Sequence, residues 1–104
     1  MTSPLEEFDP VIHPPKRLAA MALLDASEGA DFSFLRDHLH LSDSDLSKQM
    51  STLQAAGYVT IHKSGRGRGS STSFTITKNG RAAYRRHRRA LTALLTQEEA
   101  SQNL

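Results

Sequence analysis

The groups in this chain equipped for chemistry are five histidines, a run of alternating glycine and arginine, and many serine hydroxyls. The histidines do not read as a metal site. His38 and His40 straddle a helix end, His13, His62 and His87 lie far apart, and no carboxylate stands with them at a ligand spacing. They read as surface or packing residues, with His87, on the apolar side of the last helix, as a candidate pH sensor. Cysteine is absent, which removes thiolate ligands, cysteine nucleophiles and disulfides together. Gly65-Arg66-Gly67-Arg68-Gly69 contains G-x-G-x-G, but it lacks the GK[ST] of a phosphate loop and joins two strand-like runs. No serine lies in a G-x-S-x-G elbow with an acid and a histidine to follow. The expectation is a protein that is not an enzyme and holds neither metal nor cofactor.

The chemistry that remains is charge. The net charge of +2 hides a strong asymmetry, with nine acids against three bases in residues 1 to 46, then ten bases and no acid in residues 47 to 95. A half-chain of uninterrupted positive charge points to a polyanion, nucleic acid first. At 104 residues the chain fits one domain with a small core, which a partner subunit could extend. No apolar h-region opens the sequence and no apolar run approaches the ~20 residues of a membrane span, so a cytoplasmic protein with no membrane partner is expected.

The elements that must position those charges follow from periodicity. Residues 1 to 13 form an N-terminal arm carrying Leu5, Phe8, Val11 and Ile12, for which no partner within the chain is evident. Pro14 and Pro15 introduce a first helix through Leu18, Met21, Ala22 and Leu24, closing near Glu28 and Gly29. Ser33 is placed to cap a second helix bearing Phe34, Leu35, His38 and Leu39. Ser42, with Asp45 three residues on as in a capping box, opens a third helix over about 43 to 56, and Gly57 closes it. The period then becomes two. Val59 and Ile61, then Phe74 and Ile76, predict a hairpin over 58 to 77 with its loop from Ser64 to Ser71. A last helix over 78 to 96 carries Tyr84, His87, Leu91, Leu94 and Leu95 on one side and arginines on most of the rest, before a tail from 97 to 104. Its apolar side and that of the arm predict a dimer interface made by Leu5, Phe8, Val11, Ile12, Tyr84, His87, Leu91, Leu94 and Leu95.

At 100 degrees per residue, Leu46, Met50 and Leu53 share one side of the third helix, while Ser44, Lys48, Ser51 and Ala55 face the other, flanked by Ser47 and Thr52. A small, hydroxylated and basic face fits a major groove about 12 Å wide. The short second helix, the turn through Leu41-Ser42 and this helix match a helix-turn-helix, followed at once by a hairpin with a basic tip. The fold class is therefore α+β and mainly helical: a winged helix-turn-helix of three helices and a β-hairpin wing over 14 to 77, with a C-terminal dimerisation helix.

The ordered set His13-Pro14-Pro15-x-Arg17-Leu18, Phe32-Ser33-x-Leu35, Leu41-Ser42-Asp43-x-x-Leu46-Ser47, Leu53-x-x-x-Gly57-Tyr58-Val59 and Thr72-x-x-x-x-Thr77-x-x-Gly80-Arg81-x-Ala83 resembles the small winged helix-turn-helix regulators related to the MarR family. It spans about residues 11 to 95, and Gln49 stands where these proteins often carry histidine. The resemblance implies a homodimeric transcriptional regulator, commonly a repressor, that reads a pseudo-palindromic operator in double-stranded DNA and can hold a small-molecule effector in its dimer cleft. Ser42, Ser44, Ser47, Lys48, Ser51 and Thr52 are the expected recognition-helix contacts, and Lys63, Arg66, Arg68, Ser70, Ser71 and Thr72 those of the wing. Arg81 is placed by the same resemblance near a phosphate. The competing reading is a winged helix that docks on protein and binds no DNA.

Overall fold

The structure is a computed structural model describing residues 3–65, 67 and 71–102, with side chains to Thr96. After a single 3-10 turn, Pro4–Glu7, come helix α1 (Pro15–Asp25), strand β1 (Ala30–Asp31), helices α2 (Phe32–Leu39) and α3 (Asp43–Ala55), strands β2 (Val59–Ser64) and β3 (Ser71–Ile76), and helix α4 (Lys78–Gln102). The helices and the hairpin lie where periodicity places them, but Ser64 and Ser71, expected in the loop, instead end β2 and begin β3 and pair with each other. Several ends differ. α1 stops at Asp25, and α4 continues through most of the segment expected as a tail. α2 begins at Phe32 on Asp31 and not after Ser33, because Ala30 and Asp31 first pair with Phe74 and Ser73 as a third strand. A strand of two residues carries no periodicity and could not be read from sequence.

The sheet is antiparallel in the order β1-β3-β2. Val59 pairs with Ile76 and Ile61 with Phe74, so all four side chains fall on the core face. The turn between α2 and α3 depends on His40, whose φ of 56° lets Leu41 N–H reach the Arg36 carbonyl at 3.0 Å. Ser42 Oγ then accepts from Asp45 N–H at 3.1 Å, the capping bond the sequence predicts. The reciprocal half of a capping box is not made, because the Asp45 carboxylate turns to Gln49 and Lys16. Ser42→Ala should cost about 1 kcal/mol, read as a fall of a few degrees in the thermal midpoint with the folded spectrum unchanged. α3 ends in a Schellman pair: Gly57, at φ 80°, donates to Gln54 and Tyr58 donates to Leu53.

Thr77 joins this turn to α4. Its hydroxyl donates to the Gly57 carbonyl at 2.6 Å and accepts from Gly80 N–H at 2.9 Å, capping α4 while fixing its start over the α3–β2 turn. Met21, Leu24, Leu35, Leu46, Met50, Leu53, Val59 and Phe74 make one core. Ile12 belongs to it and is fully buried, with Val11 packed alongside. The expectation that these two arm residues lack a partner within the chain is corrected: the arm folds back across α1 and α4 and completes the domain's own core.

Candidate nucleic-acid interface

α3 buries Leu46, Met50 and Leu53 and turns Ser44, Ser47, Lys48 and Ser51 to solvent. Two of the expected contacts are already occupied. The Ser42 hydroxyl caps α3, and Thr52 Oγ1 donates to the Lys48 carbonyl at 3.1 Å. Thr52 has spent its donor and keeps its lone pairs, Ser42 keeps one lone pair and its O–H, and Ser44 Oγ lies 3.3 Å from Ser42 Oγ, so among the described residues Ser47, Lys48 and Ser51 are the side chains of this face that hold no hydrogen bond.

The hairpin lies beside that face. Between α3 and the two strands runs a cleft of about 150 Å³, floored by Met50, Ile61 and Phe74 and rimmed by Ser47 and Ser51 from α3 and Lys63 and Thr72 from the wing. Four of the expected contact residues, drawn from both sequence groups, thus converge on one slot. A wider hollow of about 460 Å³ opens next to it, where Ser33 at the start of α2 meets Ser71 and Thr72. Ser71 and Ser64 bond each other at 2.8 Å across the base of the wing. Arg66, Arg68 and Ser70 of the expected wing tip lie outside the described residues.

A polar network fixes the pitch of α3, and sequence reasoning missed it. Arg17 of α1 donates from Nη1 to Gln49 Oε1 at 2.7 Å, and Gln49 Nε2 donates to Asp45 Oδ1 at 2.9 Å, while Lys16 pairs with the other Asp45 oxygen. The Gln49 amide first, and the Lys16 ammonium second, hold the Asp45 carboxyl below its ordinary range. Gln49 joins a cation to a carboxylate because its side chain both accepts and donates. The departure at Gln49 from the MarR-like pattern was the available signal.

The family model of the winged helix DNA-binding domain matches residues 16–95, a span holding α1 through the wing and most of α4. This chain belongs to that family. An uncharacterized protein of Methanocaldococcus jannaschii is 31% identical to it over 71 residues, 68% of this chain and 77% of that one. The solved structure of a transcriptional regulator homologue from Pyrococcus horikoshii aligns with a TM-score of 0.78 at 26% identity, covering 84% of this chain and 86% of that one. ZitR of Lactococcus lactis, a zinc-responsive MarR family member, shares the fold with a TM-score of 0.59 at 14% identity, covering 86% of this chain and 61% of that one. The α+β winged helix architecture read from sequence stands on these matches, and the MarR family member ZitR has the same fold. Among the described residues no helix is long and apolar enough to cross a membrane.

In this winged helix protein the α4 arginines meet an acid of their own chain. Asp25, at the end of α1, is 9% exposed and takes Arg81 at 3.0 Å, Arg85 at 3.2 Å and Arg88 at 3.8 Å. Arg81 also donates to the Asp25 carbonyl at 2.7 Å. The residue expected near a phosphate is therefore turned onto α1. The expected dimer residues divide in two: Ile12, Tyr84 and His87 are buried within the single chain, whereas Leu5 and Leu95 are 60% and 53% exposed and Leu91 and Leu94 partly so. Phe8 packs on His13 and His87, each ring centroid 4.9 Å away.

Proposed function

We propose that this winged helix protein is a sequence-specific transcriptional regulator that binds a pseudo-palindromic operator as a homodimer and acts as a repressor. The convergence of Ser47, Ser51, Lys63 and Thr72 on the cleft between α3 and the wing carries this reading. Hydroxyls and an ammonium group on both walls of a slot suit a phosphate strand, and the slot aims the outer face of α3 into the adjoining major groove. Ser44, Ser47, Lys48 and Ser51 read bases there. The wing follows the backbone through Lys63 and Thr72 and brings Arg66, Arg68 and Ser70 to the minor groove.

The exposed Leu5 and Leu95, with Leu91 and Leu94, support pairing through the far half of α4 and the arm. A hollow of about 410 Å³ lined by Glu7, Arg86, Arg89, Ala90 and Ala93 supports the proposal of a small-molecule effector. Two copies of the reading face on a twofold axis would contact half-sites about one helical turn apart, near ~10 base pairs centre to centre.

Selection of bound sequences from a random duplex pool tests symmetry and spacing together. Titration of the selected site against salt then tests the contact mode. A dimer contacting six to eight phosphates predicts that log K falls against log salt with a slope of roughly −5 to −7. A flat salt response with no enriched sequence would remove the DNA reading and leave the protein-docking one to be tested.

A further inference from the structure

The buried His87 ring and the exposed His13 ring are held so that the nitrogens between them, and the one facing Asp9 N–H, have no room for a further proton. His87 is fully buried, and its Nδ1 accepts from Asp9 N–H at 3.0 Å, so that nitrogen carries no proton. Its Nε2 lies 3.0 Å from His13 Nδ1. A neutral imidazole has one N–H and one lone pair. With His87 Nδ1 accepting, its proton sits on Nε2 and donates to His13 Nδ1, which places the His13 proton on the far nitrogen. An added proton on His87 Nδ1 would face the Asp9 N–H, and one on His13 Nδ1 would face the His87 N–H. Either way two donors would point at each other.

The other groups around the pair do not relieve this. From the arm, the Asp9 carboxylate would favour a charged ring, but its Oδ1 already accepts from Val11 and Ile12 N–H, and its Oδ2 from the Tyr58 hydroxyl at 2.6 Å. Phe8 closes one side with an apolar ring. On α4, Arg86 acts on Tyr58, and Asp25 from α1 is held by Arg81, Arg85 and Arg88. Burial first, and the neighbouring His13 second, push the His87 ring below the ordinary histidine value, with Asp9 opposing.

What the pair holds shut is the arm, and the arm reaches α3. The Val11 carbonyl accepts from Arg17 Nε at 2.5 Å, and the same guanidinium carries Gln49 on α3. We propose that the neutral His13–His87 pair is a pH-sensitive latch holding the N-terminal arm on α4, and that acidification opens it and loosens α3 through Arg17 and Gln49. The significance for DNA rests on the reading of α3 given above; the latch itself does not.

The sign follows from proton uptake. An open arm returns His87 to the ordinary histidine value of about 6.5, while the closed arm excludes its proton, so the closed form loses ground as pH falls below that value. At pH 5.5 the shift toward the open form is about tenfold. Amide hydrogen exchange on the full chain, corrected for the intrinsic rate, reads this directly. Between pH 7.5 and 5.5 the protection of the Val11, Ile12 and His13 amides should fall about tenfold and that of the α3 amides with it, while β3 changes little. His87→Gln carries an amide oxygen to accept from Asp9 N–H and an amide N–H to donate to His13, but it cannot take the proton, and should leave the arm's protection nearly constant over the same range. Equal falls in both proteins, or flat arm protection in the unchanged protein down to pH 5.5, would overturn the latch; a fall in its arm with none in α3 would overturn the link through Arg17. These measurements need no DNA, so failure to bind any duplex would remove the DNA reading and leave this one intact.

Discussion

Gly80→Ala is expected to lower stability by roughly 3 kcal/mol or more, at the upper end of what overpacking a core costs. The added Cβ would stand 2.0 Å from the Tyr58 carbonyl oxygen, 2.8 Å from its carbon and 2.9 Å from its Cα. All three are backbone atoms, so no rotamer change relieves the contact. The same Tyr58 oxygen accepts from Thr77 N–H at 3.0 Å, and Thr77 caps α4 through Gly80 N–H. To admit the methyl group, α4 must slide off the α3–β2 turn, and the cap goes with it. Urea or thermal unfolding checks the size of the effect, with a fall in midpoint of roughly ten degrees or more expected for a domain of this length. A change of less than about 1 kcal/mol would mean that α4 is not seated on Tyr58 as described.

Ser51→Glu is expected to abolish useful DNA binding while leaving the fold intact, with a loss in duplex affinity on the order of a hundredfold at low salt. Ser51 is exposed on α3, and glutamate is a better helix former than serine, so the substitution adds no strain. It does place a carboxylate on the rim of the cleft opposite Lys63 and Thr72, where a phosphate is proposed to lie. The anion loses its neighbour and meets a like charge. Ser51→Ala removes one hydroxyl without adding charge and should cost about tenfold or less. Fluorescence anisotropy with a selected duplex distinguishes the two, and binding by the glutamate variant within twofold of the unchanged protein would place the DNA elsewhere.

Sequence alone determined the features whose causes are local. The period of 3.6 in Leu46, Met50 and Leu53, the period of two in Val59 and Ile61, the Ser42 cap and the Gly57 stop each depend on residues within a few positions of one another, and each is where the pattern puts it. The asymmetry of charge and the hydroxylated outer face of α3 were legible for the same reason. Tertiary structure decided what depends on partners far along the chain. His13 and His87 are separated by 74 positions and Arg17 and Gln49 by 32, so no spacing rule links either pair. Ile12 looked like an apolar residue awaiting a second subunit because nothing in an arm of thirteen residues shows where the arm folds. Arg81 looked free for a phosphate because only the crossing of α1 by α4 brings Asp25 within 3.0 Å of it. Local patterns fix which surface each element offers; the packing of elements distant in sequence decides which of those surfaces remain open to a partner.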